Sequence, residues 1–389
     1  MIPKDNDTFC VLPWIHLYVG TDGNILPCCQ ADQALPFGNI EANTVLEIRN
    51  NKQFRELRNS MINNKQHSTC KRCYLLESQG AESERIIQNR VWNSIEDFDF
   101  NADVVEKNPI YFDIRLSNLC NLKCRMCSSY FSSSIQQEEE QIWGIKQANT
   151  LTKSRKAESI EQILDLLPNV EKLYFAGGEP LMSPEHYRIL ERVIELNKTD
   201  ISLNYTTNFT KLQHGKWNVL ELWNKFDNVN LLASLDADGD IAEYVRHGTI
   251  WKEILKNYQQ IKTIKNVKFS IMSTVGFMNV ENLIEMQTSW HNNGFDLNNW
   301  FIHALISPER LSLGVLNKSH KQRISDAIKQ HIELCPEELA QQWSVIQRYM
   351  HNTDHTQHLP ELKRLTYITD RHRKENFAEV LPQFVDLIK

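Results

Sequence analysis

No apolar run among the 389 residues approaches the ~20 that a helix needs to cross a bilayer, so no membrane span is expected. Positive charge is also short: 43 Lys and Arg stand against 49 Asp and Glu, for a net charge of −6. That balance leaves no basic footprint and argues against nucleic acid as a partner. The start, Met1-Ile-Pro-Lys-Asp-Asn-Asp-Thr-Phe9, has neither the basic head nor the apolar core of a signal peptide, and the expectation is a cytoplasmic protein. Nine cysteines in that compartment do not make a disulfide framework. The composition that remains is 41% hydrophobic and 24% charged, that of a globular chain able to bury a large core beside one or two small modules.

Eight of the nine cysteines fall before residue 128, in two groups, which is a pattern of metal ligation; Cys335 stands alone. The second group, Cys120-Asn-Leu-Lys-Cys124-Arg-Met-Cys127, follows the apolar run 110–116, which reads as a strand. Three thiolates on one tight loop can hold three corners of a cubane iron–sulfur cluster, whereas full ligation takes four. One iron then stays open, as one position stays open in a catalytic zinc site. A zinc knuckle is the competing reading of three cysteines alone. The C-x3-C-x2-C spacing, the Cys-Asn-Leu start and Met126 before the last cysteine resemble the signature of radical S-adenosylmethionine (radical SAM) enzymes. The resemblance implies that SAM chelates the open iron and is reductively cleaved to a 5′-deoxyadenosyl radical. That radical then takes a hydrogen atom from the substrate.

The first group comprises Cys10, Cys28, Cys29, Cys70 and Cys73. Alternating residues around Asp22-Gly23 predict a β-hairpin, and a helix is expected over Val45 to Met61 with Leu46, Ile48, Phe54 and Leu57 on its apolar side. Hairpin and Cys70-x-x-Cys73 knuckle together supply enough thiols for a four-cysteine site, open to zinc or to iron–sulfur. The segment resembles the SPASM/twitch module of radical SAM enzymes through Cys10-x-x-Pro13-Trp14, Asp22-Gly23, Pro27-Cys28-Cys29, Gly38-Asn39-Ile40, Phe54-x-x-Leu57-Arg58 and Cys70-x-x-Cys73. It implies one auxiliary iron–sulfur cluster, taken as 4Fe–4S, on Cys10, Cys28, Cys70 and Cys73, with Cys29 a neighbour. Two departures stand out: the module precedes the barrel instead of following it, and its cysteines suffice for one cluster only.

From 108 to 306, strand-like runs at 110–116, 170–176, 201–206, 229–235, 267–275 and 299–305 alternate with helical patterns. Parallel βα units follow, and the fold class is α/β, a partial (βα)6 TIM-like barrel with its chemistry at the carboxyl ends of the strands. Motifs stand at those ends. Gly177-Gly178-Glu179-Pro180 resembles the family's SAM-amino motif; two glycines allow close backbone approach, and carbonyls or Glu179 can accept from an ammonium. By the same resemblance Ser234 and Asp236 lie near the SAM ribose and carboxylate, and Arg246 pairs with that carboxylate, the bland alternative being a surface arginine. Val275 faces adenine or is a core valine. Asn208 stands in the family's Thr-Asn-Gly position, with Phe209 in place of the glycine.

The stretch 307–389 reads as a helical tail, with helices over 321–334, 336–351 and 377–388 and a polar break before the last. It either caps the barrel or packs on the N-terminal module. Cys335 reads as a small buried residue, or as a hydrogen-atom donor if the enzyme is a radical epimerase. The expected domains are thus 1–100, the twitch-like module and linker; 108–306, the radical SAM barrel; and 307–389. The function implied is oxidative modification of a peptide side chain or of a small molecule, with a flavodoxin- or ferredoxin-type electron donor as partner. The alternatives are a redox-neutral epimerase and, from another class, a zinc-bound scaffold or nucleic-acid module.

Overall fold

A computed structural model describes residue 3 and residues 6–78, 80, 82–144 and 156–389. Residues 1, 2, 4 and 5, on which the reading of the N-terminus partly rests, lie outside these. In chain order the strands are β1 (His16–Val19), β2 (Asn24–Leu26), β3 (Gly38–Asn39), β4 (Tyr111–Ile114) and β5 (Lys123–Cys124). Then come β6 (Lys172–Phe175), β7 (Ser202–Thr207), β8 (Gln213–His214) and β9 (Trp217–Asn218). The last are β10 (Asn228–Ser234), β11 (Arg246–His247), β12 (Val267–Val275) and β13 (Trp300–Ala304). The six strands expected of a barrel are β4, β6, β7, β10, β12 and β13. The class is α/β with a large parallel sheet, and no closed barrel is present among the described residues. No helix among them is long and apolar enough to cross a membrane.

The chain divides into two compact units, Met1–Leu119 with Asn149–Tyr205 and Gln213–Val229, and Cys120–Ala148 with Thr206–Leu212 and Asn230–Lys389. In the first, the strand order is β7-β6-β4-β1-β2-β3. β4, β6 and β7 pair in parallel, and β1 joins them parallel to β4, with Tyr18 opposite Asp113. The hairpin is therefore an extension of the parallel sheet and not a free-standing module. All four residues of β1 are buried, as a strand covered on both faces requires. The turn to β2 uses Gly23 at φ 83°, a left-handed conformation that glycine adopts without a Cβ clash.

The helix expected over Val45 to Met61 is two helices, Val45–Arg49 and Lys52–Ile62. Asn51 breaks the run and caps the second helix, its side chain accepting from the Phe54 N–H at 3.1 Å. The buried face also differs from the expected one. Leu46 is 51% exposed, whereas Arg49 and Arg58 are buried at 1% and 0%. Arg58 donates to the carbonyls of Pro13 (3.0 Å), Arg49 (2.6 Å) and Asp103 (2.8 Å). Arg49 donates to those of Lys107 (2.7 Å) and Trp14. Pro13, Trp14 and Arg49 lie at the ends of short helices and Asp103 and Lys107 in loops, and the five donors of a guanidinium fan out to meet several such carbonyls at once. Burial lowers the Arg49 pKa to about 9, helped by Arg58, and burial lowers that of Arg58 to about 10 against the pull of Asp103.

In the second unit β10, β12 and β13 are neighbours, and β12 runs parallel to β13 from Ile271 opposite Trp300 to Val275 opposite Ala304. The tail contains helices Lys318–His331 and Glu337–Asn352, close to the expected spans. A third helix, Leu359–Arg373, occupies what reads as a polar break. Its buried positions are Leu362, Thr366 and Asp370, so its inner face carries one apolar side chain and no hydrophobic period betrays it. The helix expected at 377–388 is one turn, Phe377–Val380, followed by a 3-10 segment, Pro382–Ile388.

Candidate functional site

The three-cysteine loop is held in the second unit by a two-stranded ribbon. β5 pairs antiparallel with β11, placing Cys124 opposite Arg246 and Lys123 opposite His247. The Arg125 N–H donates to the Val245 carbonyl at 2.9 Å. Gly248, at φ 99°, lets the chain turn under the loop, where a Cβ would stand 3.0 Å from the Asn121 carbonyl. Cys120 and Cys124 are half-buried, Met126 likewise, and Cys127 is exposed.

Arg246 is not a surface residue. Its side chain is 15% exposed, its Nε donates to Asp236 at 2.7 Å, and its Nη1 lies 3.8 Å from the Cys124 sulfur. Asp236, 1% exposed, also accepts from the Thr274 N–H at 2.8 Å. Burial works against the guanidinium charge, but Asp236 and Cys124 outweigh it and raise the Arg246 pKa. Burial raises the Cys124 thiol to about 11, against the lowering effect of Arg246. A fixed cation thus stands beside a thiol that burial alone would keep protonated.

Asn208 reaches the same loop. Its Nδ2 donates to Asn121 Oδ1 at 3.0 Å and lies 3.8 Å from the Cys120 sulfur, and its Oδ1 accepts from the Thr210 N–H and hydroxyl. Phe209 adopts φ 60°, so the chain takes the left-handed turn of Thr-Asn-Gly even without the glycine. Ser234 ends β10 half-buried. Val275 is 0% exposed at the end of β12, a core position.

Gly177-Gly178-Glu179-Pro180 lies in the first unit, after β6. Gly177 is at φ 112°, and a Cβ on Gly178 would run into the Leu119 carbonyl. The Gly178 N–H donates to Ser117 O (3.2 Å) and the Glu179 N–H to Leu119 O (2.7 Å). The glycines therefore let this turn lie against the backbone that leads into Cys120, rather than only opening it to a ligand. Glu179, 2% exposed, caps the turn that Pro180 begins, accepting from the Leu181 N–H at 3.1 Å.

The first unit also gathers Cys10, Cys28, Cys70 and Cys73 around one small cavity, which Cys29 does not line. Burial first, then Cys70 and Cys73, raise the Cys10 thiol; burial, then Cys29, Cys10 and Cys70, raise Cys28. Cys29 is raised to about 12 by burial and then by Asp113 and Glu84, and none of the other cysteines is among the causes. Four thiols that repel one another when ionised suit a cationic centre that joins them, and an all-thiol set is the ligation of iron–sulfur clusters. Among the described residues, no group of three or more His, Cys, Asp and Glu side chains is arranged to hold a single metal ion.

Sequence reasoning missed how the tail serves the three-cysteine loop. Arg125 is 5% exposed, pairs with Asp370 and Glu375, and stacks 3.7 Å over the Tyr244 ring. The Tyr244 hydroxyl donates to Asp370 at 2.9 Å, and Arg373 pairs with Glu138 at 2.6 Å. A cavity of about 540 Å³ opens there, lined by Cys124 and Cys127, by residues of helix Ser133–Trp143, by Arg310 and Leu311, and by helix Leu359–Arg373. That volume lies in the range of small-ligand pockets. Cys335 lines a different cavity, with residues 291 and 294–298.

Residues 10–74 match the SPASM iron–sulfur cluster-binding domain, and residues 114–288 match the radical SAM superfamily. No curated protein matches the chain. Among solved structures, Streptococcus suis SuiB bound to precursor peptide SuiA is similar at 15% identity and a TM-score of 0.38, over 71% of this chain and 63% of that one. Native anSMEcpe with bound AdoMet is similar at 17% identity and a TM-score of 0.39, over 57% of this chain and 59% of that one. The chain thus spans less than two thirds of the length of either. The two domain matches imply a 4Fe–4S cluster, SAM and an auxiliary iron–sulfur cluster as cofactors. The chain thus carries a region that matches the radical SAM superfamily, with a region that matches the SPASM domain ahead of it.

Proposed function

We propose that this protein is a cytoplasmic radical SAM enzyme that oxidatively modifies a peptide side chain or a small molecule, taking electrons from a flavodoxin- or ferredoxin-type donor. When bound, the cluster and SAM supply reductive SAM cleavage and hydrogen-atom abstraction. Cys120, Cys124 and Cys127 hold the first cluster, and Cys10, Cys28, Cys70 and Cys73 the auxiliary one. Arg246, locked by Asp236, keeps Nη donors for a carboxylate. Asn208 donates toward the Cys120 sulfur and steadies Asn121. In the second unit Met126, Ser234 and the core residue Val275 would flank SAM; in the first, the Gly177–Pro180 turn has carbonyls suited to an ammonium. Residues 1–100, 108–306 and 307–389 then act as auxiliary module, catalytic domain and tail.

The observation that carries this reading is the buried Arg246–Asp236 pair set beside a loop of only three cysteines. A charged pair at 2.7 Å has no need of a thiol neighbour to fold, but it suits a site where a thiolate and an anionic ligand meet. A hydrogen-donating role for Cys335, as an epimerase would require, has no support from its place in a separate cavity. The deciding experiment is anaerobic reconstitution with iron and sulfide analysis, followed by dithionite and SAM. About eight iron and eight sulfide per chain, with 5′-deoxyadenosine formed, are expected. Bound zinc without sulfide would overturn the reading.

A further inference from the structure

The cavity beside Cys124 and Cys127 has a chemical character of its own. Trp143, Met278 and Leu362 give it an apolar wall. Arg310 and Arg364 stand on the same lining. Arg364 is exposed but stacks 5.6 Å over the Trp143 ring, which keeps its planar head at the cavity mouth. Arg310, with its side chain 25% exposed, makes a long ion pair, 3.6 Å from Glu361. Burial lowers its pKa, and the like charge of Arg364 adds to that against Glu361. The other two guanidiniums at this cavity are already committed, Arg125 to Asp370 and Glu375 and Arg373 to Glu138.

We infer that this cavity binds an amphipathic carboxylate, with Arg310 and Arg364 taking the carboxylate and the Trp143–Met278–Leu362 wall taking the apolar body. Two cations that repel each other in a partly dry site are relieved by an anion between them, and a guanidinium fork fits a carboxylate. The concave, largely apolar lining favours a ligand that enters over a partner that lies flat across the surface. The inference deepens the function proposed above by giving its substrate class, and it rests on that reading for its link to catalysis. Binding itself can be tested without it.

The test uses the anaerobically reconstituted protein and isothermal titration with 4-phenylbutyrate, its neutral amide 4-phenylbutyramide, and N-acetyl-Leu-Phe with a free or an amidated terminus. The expected result is that an acid binds at least fivefold more tightly than its amide, and that R310Q and R364Q each remove that preference. Preference for the free peptide alone assigns the carboxylate to a peptide terminus; preference for phenylbutyrate assigns it to a free acid. R364Q changes an exposed side chain, so it reports even if R310Q unfolds. Equal binding of acid and amide, unchanged binding by folded R364Q, or no binding of either acid overturns the inference. SAM cleavage measured in the same samples reports separately on the radical SAM reading.

Discussion

The three cysteines of residues 120–127 and the four around the cavity of Cys10 are embedded in opposite ways. The four sit in the first unit with their thiols facing one another, enclosed by backbone that buried Arg49 and Arg58 hold in place. The three sit on a loop that a short ribbon anchors at Cys124, one of them exposed, with a paired arginine beside Cys124, an amide near Cys120 and a cavity of about 540 Å³ alongside. A closed thiol set satisfied by its own members suits a centre that keeps its ligands. An open one with spare donors and adjacent space suits a centre that exchanges a ligand. The number of cysteines makes this distinction first, and the surroundings of each set then agree with it.

The largest effect should come from breaking that contrast directly. On the function proposed, C124A should reduce 5′-deoxyadenosine formation with dithionite and SAM at least about a hundredfold, because the open cluster would lose one of only three ligands. C70A combined with C73A should instead lower iron by about half while leaving SAM cleavage measurable. Equal loss of cleavage in both variants would mean that the two sites are not separate in role. Circular dichroism belongs in the same experiment, since metal binding and folding of the small cysteine-bearing region are coupled.

Next in size is the frame of the first unit. R58A strands the carbonyls of Pro13, Arg49 and Asp103, and should cost about 3 kcal/mol or more in chemical denaturation. R58M, which restores much of the volume but no donors, should be nearly as poor. R55A, on the same helix at a half-exposed position, should stay within about 0.5 kcal/mol of the parent. Comparable losses for Arg55 and Arg58 would show that the carbonyl contacts contribute nothing special.

A smaller effect is expected at the open site. R246K keeps the charge but gives up the fork that spans Asp236 and a second acceptor. SAM binding, followed by equilibrium dialysis, should weaken about tenfold, or ~1.4 kcal/mol. An unchanged dissociation constant would confine Arg246 to its pairing with Asp236.

What could be read in the sequence was local. The six barrel strands stand out as short strand-like runs, alternating in β7 and β10, and β12 even ends at the expected Val275. Both cysteine groups announce themselves by spacing. What could not be read was long-range. β1 looks like a hairpin arm, and only a partner some 95 positions on, Tyr111 to Ile114, makes it part of the parallel sheet. Arg49 and Arg58 look like the wet side of a helix because their acceptors are carbonyls of distant loops. The Gly177-Gly178 pair resembles a ligand cradle, but the atoms nearest Gly178 belong to Asn118 and Leu119. Helix Leu359–Arg373 hid because Thr366 and Asp370 occupy its inner face, Asp370 being there to meet Arg125 and Tyr244.

The subtlest prediction concerns Phe209, where two ordinary rules conflict. At φ 60° a non-glycine residue carries about 1–2 kcal/mol of strain. The ring is 0% exposed and packs on Phe269 at a centroid distance of 5.1 Å, burial whose loss costs about 3–5 kcal/mol on truncation to alanine. Burial wins, which is how the left-handed turn survives without glycine and still directs the Phe209 carbonyl to Asn257 Nδ2 at 2.9 Å. Both F209A and F209G should therefore be destabilised. Their order is diagnostic: alanine keeps the strain and loses the ring, while glycine loses both, so F209G should be the more stable by about 1 kcal/mol. At Ala242, inside helix Gly239–Val245, the same alanine-to-glycine step should run the other way by about 0.5–1 kcal/mol. Urea denaturation of the three variants measures both signs. F209A proving the more stable would mean that the turn beside Asn208 relaxes out of the left-handed region once the ring is gone, and that the ring, rather than the Asn208–Asn121–Thr210 network, imposes that conformation.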